Sequence, residues 1–303
     1  MNNYKLLITG ASGFIGSSLL QKTSMSGFEV MAMSRSCPET KVVGKVHWLR
    51  ADLSSPETYR DEIKAFSPDI VIHLSWQDIP DFSFEKSLLN LNQSLKFLSI
   101  VLEIESCKKI LVSGSCLEYN KTQGECGESI IGSPRDYFTW AKHSIYSWLL
   151  MKCTQNDVAL AWLRLFYVYG PGQKVESLIP AILSNLKSGK LPHIRTPKNA
   201  NDYIFIDDVV DGFYAAMTNR IPSGIYNLGS GKSTSVIDVC GLAEKHILGT
   251  NILTQRLVEQ THLSSVDVNF WAKTNTTKKI LNWNAKISLT NGIERTWDDF
   301  NKL

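Results

Sequence analysis

The chain has 303 residues, of which 43% are hydrophobic and 20% are charged, and its formal net charge is +3 at pH 7. This composition is typical of a globular protein with a large core and one or two domains. The sequence has no Lys/Arg cluster of the kind that binds nucleic acid and no apolar stretch of membrane-spanning length. We therefore expect the protein to bind neither nucleic acid nor a membrane.

The cysteines give a further exclusion. The six of them show no C-x-x-C spacing, so the sequence indicates neither a zinc site nor a disulfide framework, and we expect no bound metal. Reduced thiols fit a cytoplasmic protein best. The first apolar run starts almost at once, so we expect no signal peptide.

That first run, Leu6–Ile8, predicts a buried strand; three glycines, Gly10, Gly13 and Gly16, follow it, and an apolar-periodic helix is predicted over about Phe14–Lys22. A helix N-terminus offers unpaired N–H groups to an anion, and glycine lets a pyrophosphate approach the backbone. The spacing G-x-x-G-x-x-G is one residue off the common dinucleotide pattern, and a glycine-rich turn without a ligand is the alternative. We expect the cofactor to contact residues Gly10, Ser12, Gly13, Phe14, Ile15 and Gly16.

Strand and helix patterns then alternate along the chain. Strands are predicted at Phe28–Met33, Val46–Leu49, Ile70–Leu74, Lys109–Ser113 and Ala159–Leu165. Helices are predicted at Pro56–Phe66, Phe84–Glu105, Tyr137–Gln155, Pro180–Lys190, Asp207–Met217 and Thr234–Ile247, the last capped by Ser233 or Thr234. This alternation predicts an α/β fold with a doubly wound parallel sheet covered by helices on both faces.

Ligands of such sheets bind at the carboxyl ends of the strands. The second strand ends in Ser34 and Arg35. A protein that binds NAD would have a carboxylate here to hold the ribose 2′-hydroxyl, and this chain has a hydroxyl and a guanidinium instead. A hydroxyl beside a guanidinium suits a 2′-phosphate, which favours NADP, with NAD possible; a solvated surface Arg is the alternative. After the third strand, Asp52 and Leu53 are expected to meet the adenine edge, unless Asp52 only caps the next helix.

Several motifs occur together in a familiar order: Gly10–Gly16, Ala51–Leu53, Val71–Ser75, Asn90, Ser113–Ser115, Lys142, Arg164–Pro171, Asp202–Asp208 and Tyr226–Gly231. With them the chain resembles the extended short-chain dehydrogenase/reductase family of NAD(P)-dependent nucleotide-sugar epimerases, dehydratases and reductases. The resemblance implies a Rossmann-type cofactor domain, 1–167 plus about 202–230. It also implies a smaller nucleotide-sugar domain, 168–201 plus 231–303, and a homodimer formed through two helices per subunit. Further cofactor contacts are implied at Leu74, Ser75, Asn90, Ser113, Lys142, Phe166 and Val168.

In that family a Tyr transfers the hydroxyl proton and a Ser or Thr orients the same oxygen. A Lys four residues after the Tyr holds the nicotinamide ribose and lowers the Tyr pKa. Ser115 and Lys142 match, but the Tyr position holds Phe138, which has no ionisable group. Tyr137 is five residues before Lys142, so on a regular helix it faces elsewhere.

The catalytic position therefore has three interpretations. Phe138 is a Tyr→Phe replacement, which we favour because Phe keeps the ring and loses only the hydroxyl. Alternatively, the protein uses Tyr137 or a water-mediated donor, or it has lost catalysis and only binds.

Other positions bear on the substrate. The Asp-Glu pair of the sugar 4,6-dehydratases is replaced by Cys116-Leu117, which argues against dehydration. Cys116 with Lys174 could form the acid/base pair of some epimerase-reductases, although a small buried thiol is the simpler interpretation.

Two family contacts with the sugar nucleotide are altered. Tyr167 stands where the family has Asn, and Asn201 stands where the family has an Arg that neutralises the diphosphate. Lys174, Arg195 or Lys198 could compensate for that Arg. Trp76, at the start of the sugar-facing loop, could stack on a ring or simply pack.

Three functions follow from these residues. The first is an NADP-dependent reductase of a nucleoside-diphosphate 4-keto-6-deoxy sugar, which Arg35 favours. The second is a C4 epimerase of a nucleotide sugar that keeps its NAD bound. The third is a catalytically inactive NADP-binding protein, which Phe138 and Asn201 favour.

Overall fold

Parallel strands make up the larger of two sheets in this protein, a computed structural model that describes residues 4–37, 44–130, 132–260 and 267–302. Numbered along the chain, the strands are β1 (Lys5–Thr9), β2 (Glu29–Ser34), β3 (Lys45–Arg50), β4 (Ile70–His73), β5 (Lys109–Ser115), β6 (Gln123–Cys126), β7 (Ala159–Leu165), β8 (Tyr167–Tyr169), β9 (Ala200–Phe205), β10 (Gly224–Leu228), β11 (Ser233–Ser235) and β12 (Asn269–Ala272). The helices are α1 (Phe14–Met25), α2 (Arg60–Phe66), α3 (Phe84–Val101), α4 (Tyr137–Gln155), α5 (Leu178–Lys187), α6 (Ile206–Thr218), α7 (Val236–Leu248), α8 (Ile252–Gln260), α9 (Asn275–Leu281) and α10 (Leu289–Phe300). Two 3₁₀ helices cover Pro56–Thr58 and Cys116–Tyr119.

The larger sheet has the order β3-β2-β1-β4-β5-β7-β10, and all its neighbouring strands are parallel. Its inner strands are buried on both faces because alternate side chains enter two separate cores, whereas the edge strand β3 is largely exposed or half-buried. Leu6 and Ile8 share one core with Leu19 of α1, whereas Leu7 shares the other with Phe97 of α3. The predicted doubly wound α/β fold is confirmed. The direction of winding reverses between β1 and β4, so the carboxyl ends of these strands form a crevice.

The smaller sheet has the order β11-β9-β12-β6, with β8 also paired to β9. Strand β6 belongs to the smaller sheet, since Gln123 pairs with Asn269 of β12. It does so although it lies within residues 1–167, the segment predicted to form the cofactor domain. The domain boundaries remain a prediction. Within the described residues, no helix is both long and apolar enough to cross a membrane.

Most element boundaries lie within a few residues of those expected, and those of α4 and β7 agree fully. The predicted helix Pro56–Phe66 is interrupted at Tyr59, whose buried ring points its hydroxyl to the Leu53 carbonyl at 3.3 Å. The expected cap of α7 was wrong: Ser233 and Thr234 pair with β9, and Ser235 accepts from the Asp238 N–H at 3.1 Å. Helix α3 ends at Val101, four residues early, where Glu103 and Ile104 donate to carbonyls three residues back.

Candidate active site

The glycine loop joins β1 to α1 at the crevice. Gly10 has φ +68°, and a Cβ there would lie 3.1 Å from the backbone nitrogen of Ser75. A Cβ on Gly16 would lie 2.1 Å from the Gly10 carbonyl oxygen, so both positions need glycine for close backbone approach. Gly13 caps α1 without a side-chain bond, and the first turn carries no acidic residue. The exposed N–H groups of this turn suit a pyrophosphate, so the loop fits a dinucleotide.

A cavity of about 180 Å³ opens beside this loop. It brings together ten of the residues expected to bind cofactor or substrate: Gly10, Ser12, Gly13, Ser34, Arg35, Leu53, Leu74, Ser75, Trp76 and Asn90. It also includes five that sequence reasoning missed, namely Met33, Ala51, Gln77, Gln93 and Ser94. Gln93 and Ser94 lie one helical turn beyond Asn90, and that spacing could have indicated them.

Arg35 is exposed and lines the cavity. Its Nη1 donates to Gln77 Oε1 at 3.1 Å. Gln77 is fixed in turn, because its N–H donates to Asn90 Oδ1 at 2.7 Å and its Nε2 donates to Gln93 Oε1 at 2.8 Å. Ser34 lies behind Arg35, with its Oγ 2.5 Å from the Oγ of Ser12. The guanidinium is thus held beside the expected adenosine end of the cleft.

Asp52 was expected to meet the adenine or to cap a helix, and the cap interpretation was wrong. Its Oδ1 accepts from the Ser54 N–H at 2.8 Å, whereas Ser55 precedes the 3₁₀ helix. The Ser54 hydrogen bonds, and to a smaller extent Arg35, hold the pKa of the Asp52 carboxyl below its usual value. Leu53 lines the cavity, and Asp52 does not.

Lys142 and Phe138 lie one turn apart on the buried face of α4. The Lys142 ammonium donates to the Ser113 carbonyl at 2.8 Å and lies 4.1 Å from the centroid of the Trp76 ring. Burial lowers the pKa of Lys142 to about 8. The ring of Phe138 stacks on Phe82 at 4.6 Å and meets the Trp76 ring edge-on at 5.1 Å. The position at which the family has its Tyr therefore holds Phe138, and the Phe138 ring forms an aromatic cluster with Trp76 and Phe82.

Ser115 ends β5 and begins the 3₁₀ helix. Its Oγ accepts from the Leu117 N–H at 3.2 Å, which leaves the hydroxyl hydrogen available to a ligand. Its own N–H donates to Glu118 Oε1 at 2.6 Å. Glu118 thus fixes the position of Ser115, and the S-x-x-E capping-box spacing could have revealed it.

Glu118 also organises the buried residues beneath the site. It accepts from Trp162 Nε1 at 3.0 Å and from Arg164 Nε at 3.1 Å, and the Glu118 and Arg164 side chains are 0% and 1% exposed. The Arg164 guanidinium lies 4.3 Å from the centroid of the Tyr119 ring. Arg164, part of the family motif, therefore supports the fold here rather than facing the cavity.

Three candidate residues lie in surroundings that do not suit the suggested roles. Tyr137 is 53% exposed, and its ring packs against Phe84 of α3 at 5.3 Å, away from the buried face that carries Lys142. Cys116 is buried, and burial together with the Asp202 carboxylate raises the pKa of its thiol. Lys174 is exposed on the loop after β8. The small buried thiol is the interpretation that the structure supports.

The remaining candidates lie where β8 meets β9. Tyr167 pairs with Tyr203, and their rings are 6.0 Å apart. Asn201 is 8% exposed, its Nδ2 lies 3.5 Å from the Tyr203 hydroxyl, and its Oδ1 has no partner among the described residues. Asn201 therefore has an unused acceptor in the wall of the smaller sheet.

The backbone groups of Phe166 and Val168, which were expected to approach the nicotinamide, already form hydrogen bonds within the protein. Phe166 is buried and its N–H donates to the Leu228 carbonyl at 3.0 Å, while the Val168 carbonyl accepts from Gln173 Nε2 at 3.1 Å. Neither residue lines the cavity beside the glycine loop. Within the described residues there is no group of His, Cys, Asp and Glu able to hold a metal ion.

Comparison with known proteins places this geometry in context. CDP-abequose synthase of Salmonella typhimurium is 26% identical over 95% of this chain and 96% of its own length. Among solved structures, UDP-glucose 4-epimerase of Thermotoga maritima with UDP-glucose matches with a TM-score of 0.81 and 23% identity, over 98% of this chain and 99% of that one. A Tyr-to-Phe variant of UDP-glucuronic acid 4-epimerase from Bacillus cereus, with a 4-deoxy-4-fluoro substrate analogue and NAD, matches with a TM-score of 0.80 and 21% identity, over 98% and 99%.

The family model for NAD dependent epimerases and dehydratases matches residues 6–229, from β1 to the residue after β10. This span covers the glycine loop, Ser115, Lys142 and every strand of the larger sheet. The chain therefore belongs to the NAD dependent epimerase/dehydratase family.

Proposed function

We propose that the protein is an NADP-dependent reductase of a nucleoside-diphosphate 4-keto-6-deoxy sugar, acting by hydride transfer at C4. The observation that carries the cofactor choice is Arg35, held by Gln77 at the cavity. Arg35 is the only charged side chain among the described residues that line this cavity, and no carboxylate is present there for a ribose 2′-hydroxyl. A guanidinium is a strong partner for a 2′-phosphate.

When bound, reduced nicotinamide would supply the hydride. Lys142 would hold its ribose, and Ser115 would hydrogen-bond the sugar C4 oxygen through its free hydroxyl hydrogen. Trp76, Tyr167 and Asn201 would contact the sugar nucleotide, with the unused Oδ1 of Asn201 accepting from a hydroxyl. Cys116 and Lys174 are weaker candidates for this surface, for the reasons of burial and exposure given above.

Two other functions remain as alternatives. A C4 epimerase using bound NAD is favoured by the similarity to two 4-epimerases, one of them solved with NAD. It would show no net cofactor consumption, which separates it from a reductase. A catalytically inactive NADP-binding protein is favoured by the packing of Phe138 against Trp76 and Phe82. It would bind NADPH yet turn over no sugar nucleotide even with Tyr at position 138.

Changing Arg35 to Ala is expected to weaken NADPH binding by roughly 10- to 100-fold, because a charge-assisted bond contributes about 1.5–3 kcal/mol. NADH, which has no 2′-phosphate, should bind with unchanged affinity. Calorimetric titration of both cofactors measures this. Arg220→Ala, an exposed Arg beyond the opposite end of the sheet, is the control. Equal losses for both cofactors, or no loss for NADPH, would contradict the choice of NADP.

We also propose a homodimer formed through α3 and α4. Their outer faces carry exposed apolar side chains, including Phe84 at 44%, Tyr137 at 53% and Met151 at 60% exposure. Tyr137 and Met151 lie on one stripe of α4, so a charge at both positions should convert dimer into monomer. Light scattering on Tyr137→Glu/Met151→Glu tests this, and an unchanged mass would exclude this interface.

The cellular location stays a prediction. All six cysteines are free, and five of them are buried, which supports a reducing compartment such as the cytoplasm.

A further inference from the structure

The chain lacks the hydroxyl that should protonate the sugar oxygen, so another group must supply the proton if the proposed reduction takes place. The described side chains near Ser115 offer few candidates. Burial raises the pKa of the Cys116 thiol and of the Tyr167 and Tyr119 hydroxyls, which makes them poorer acids. The Tyr119 hydroxyl is also committed to Asn227 Oδ1 at 2.7 Å.

We propose that Lys142 itself is the proton donor of this chain, in addition to holding the cofactor ribose. This inference rests on the proposed reductase function. The Lys142 ammonium donates to the backbone carbonyl of Ser113, two residues before Ser115 on β5. It therefore lies near the carboxyl end of β5, the strand that Ser115 ends.

The contacts of the Lys142 ammonium leave one of its N–H groups available to donate a proton to a substrate. Its ammonium has three N–H bonds; one meets the Ser113 carbonyl at 2.8 Å and the Trp76 ring face lies 4.1 Å away, so at least one N–H has no acceptor in these contacts. The side chain is 5% exposed, so water does not compete freely for it. The electrostatic attraction to the face of the Trp76 ring holds the ammonium in place without using one of its N–H groups in a conventional hydrogen bond.

The charges around Lys142 set its acidity. Burial lowers its pKa to about 8, and the Glu118 carboxylate below opposes this shift. His73, at the end of β4, is uncharged near neutral pH because burial and Lys142 lower its pKa to about 3. A lysine with this pKa is protonated at neutral pH and releases its proton far more readily than an exposed lysine.

Bound reduced nicotinamide would supply the hydride for the new C–H bond at the carbonyl carbon, and the C=O π electrons would move to the oxygen. That oxygen takes a proton from Lys142 Nζ, and Ser115 holds it by a hydrogen bond. The ketone is reduced, the nicotinamide is oxidised, and neutral Lys142 regains a proton from solvent. Turnover should therefore fall as pH rises through the pKa of Lys142, because the acid form is lost.

Chemical rescue tests the donor role. Lys142→Ala should lose turnover by roughly 100-fold or more, and added primary ammonium ions should restore part of it, with rates that depend on the amine pKa. Lys142→Arg keeps the positive charge but is too basic to donate, so it should lose turnover as Lys142→Ala does. Turnover that survives in Lys142→Arg, or rescue that is independent of amine pKa, would overturn the proposal.

A second readout needs no activity. Trace acetylation of the cofactor-free protein, read by mass spectrometry across the neutral and alkaline range, should show Lys142 deprotonating near its lowered pKa of about 8, well below the ordinary lysine value of about 10.4. Deprotonation of Lys142 at the ordinary lysine value would overturn the proposal.

The Phe138→Tyr variant separates the two possible failures. If this variant reduces a 4-keto sugar nucleotide but the unaltered chain does not, the reductase function stands and Lys142 is not the donor. If neither protein turns over, the proposed function fails, and this inference fails with it.

Discussion

Changing Phe138 to Tyr is expected to raise turnover of a 4-keto-6-deoxy sugar nucleotide by about 10²- to 10⁴-fold, the usual contribution of a positioned general acid. Phe138 lies on the buried face of α4, and the Lys142 ammonium is 5.9 Å from the centroid of its ring. A hydroxyl on this ring would have its pKa lowered by that ammonium. Oxidation of NADPH followed by absorbance measures the gain.

The matched control is Phe82→Tyr, which adds a hydroxyl to the ring stacked on Phe138. It should bring no comparable gain, because Phe82 lies on the loop before α3 rather than one turn from Lys142. A Phe138→Tyr variant no faster than the unaltered chain would contradict a Tyr-type proton donor at this position. If neither protein turns over although NADPH still binds tightly, the catalytically inactive alternative is favoured.

Changing Glu118 to Gln is expected to destabilise the protein by about 3–5 kcal/mol, the usual cost of leaving one partner of a buried ion pair without its counter-charge. The amide would leave the Arg164 charge without its partner and would weaken the bonds from Trp162 and from the Ser115 N–H. The free energy of unfolding in urea measures this loss.

Glu125→Gln provides the comparison, because Glu125 forms an ion pair with Lys273 in which both side chains are nearly half exposed. Such surface pairs contribute about 0–1 kcal/mol. If the two variants lose the same stability, Glu118 does not anchor the site. If Glu118→Gln is destabilised as expected, Ser115 should also lose its fixed position, and the remaining activity should fall.

The sequence was sufficient for the features that depend on local pattern. The glycine loop, the apolar strands and the long helix α4 follow from spacing and periodicity, which neighbouring residues determine. The positions of Ser115, Lys142 and Phe138 within the fold followed from the resemblance. Their roles in catalysis, like the other site assignments, remain predictions.

The features that the sequence did not reveal depend on contacts between distant segments. Strand β6 joins the smaller sheet through pairing of Gln123 with Asn269, a register that no local pattern encodes. Trp76 was expected to stack on a sugar ring or to pack, and no local pattern indicates that the Lys142 ammonium lies over its indole. Arg164 matched a family motif, and only the fold shows that it is paired with buried Glu118.

The most direct test of the proposed reaction follows the hydride. The Phe138→Tyr protein would be incubated with a 4-keto-6-deoxy sugar nucleotide and NADPH deuterated at C4 on either face of the nicotinamide. We expect one of the two labelled cofactors to deliver a single deuterium to C4 of the sugar, seen by mass spectrometry and NMR. A product sugar with no deuterium from either cofactor, formed without loss of NADPH, would contradict the reductase and indicate an epimerase that recycles its own bound NAD.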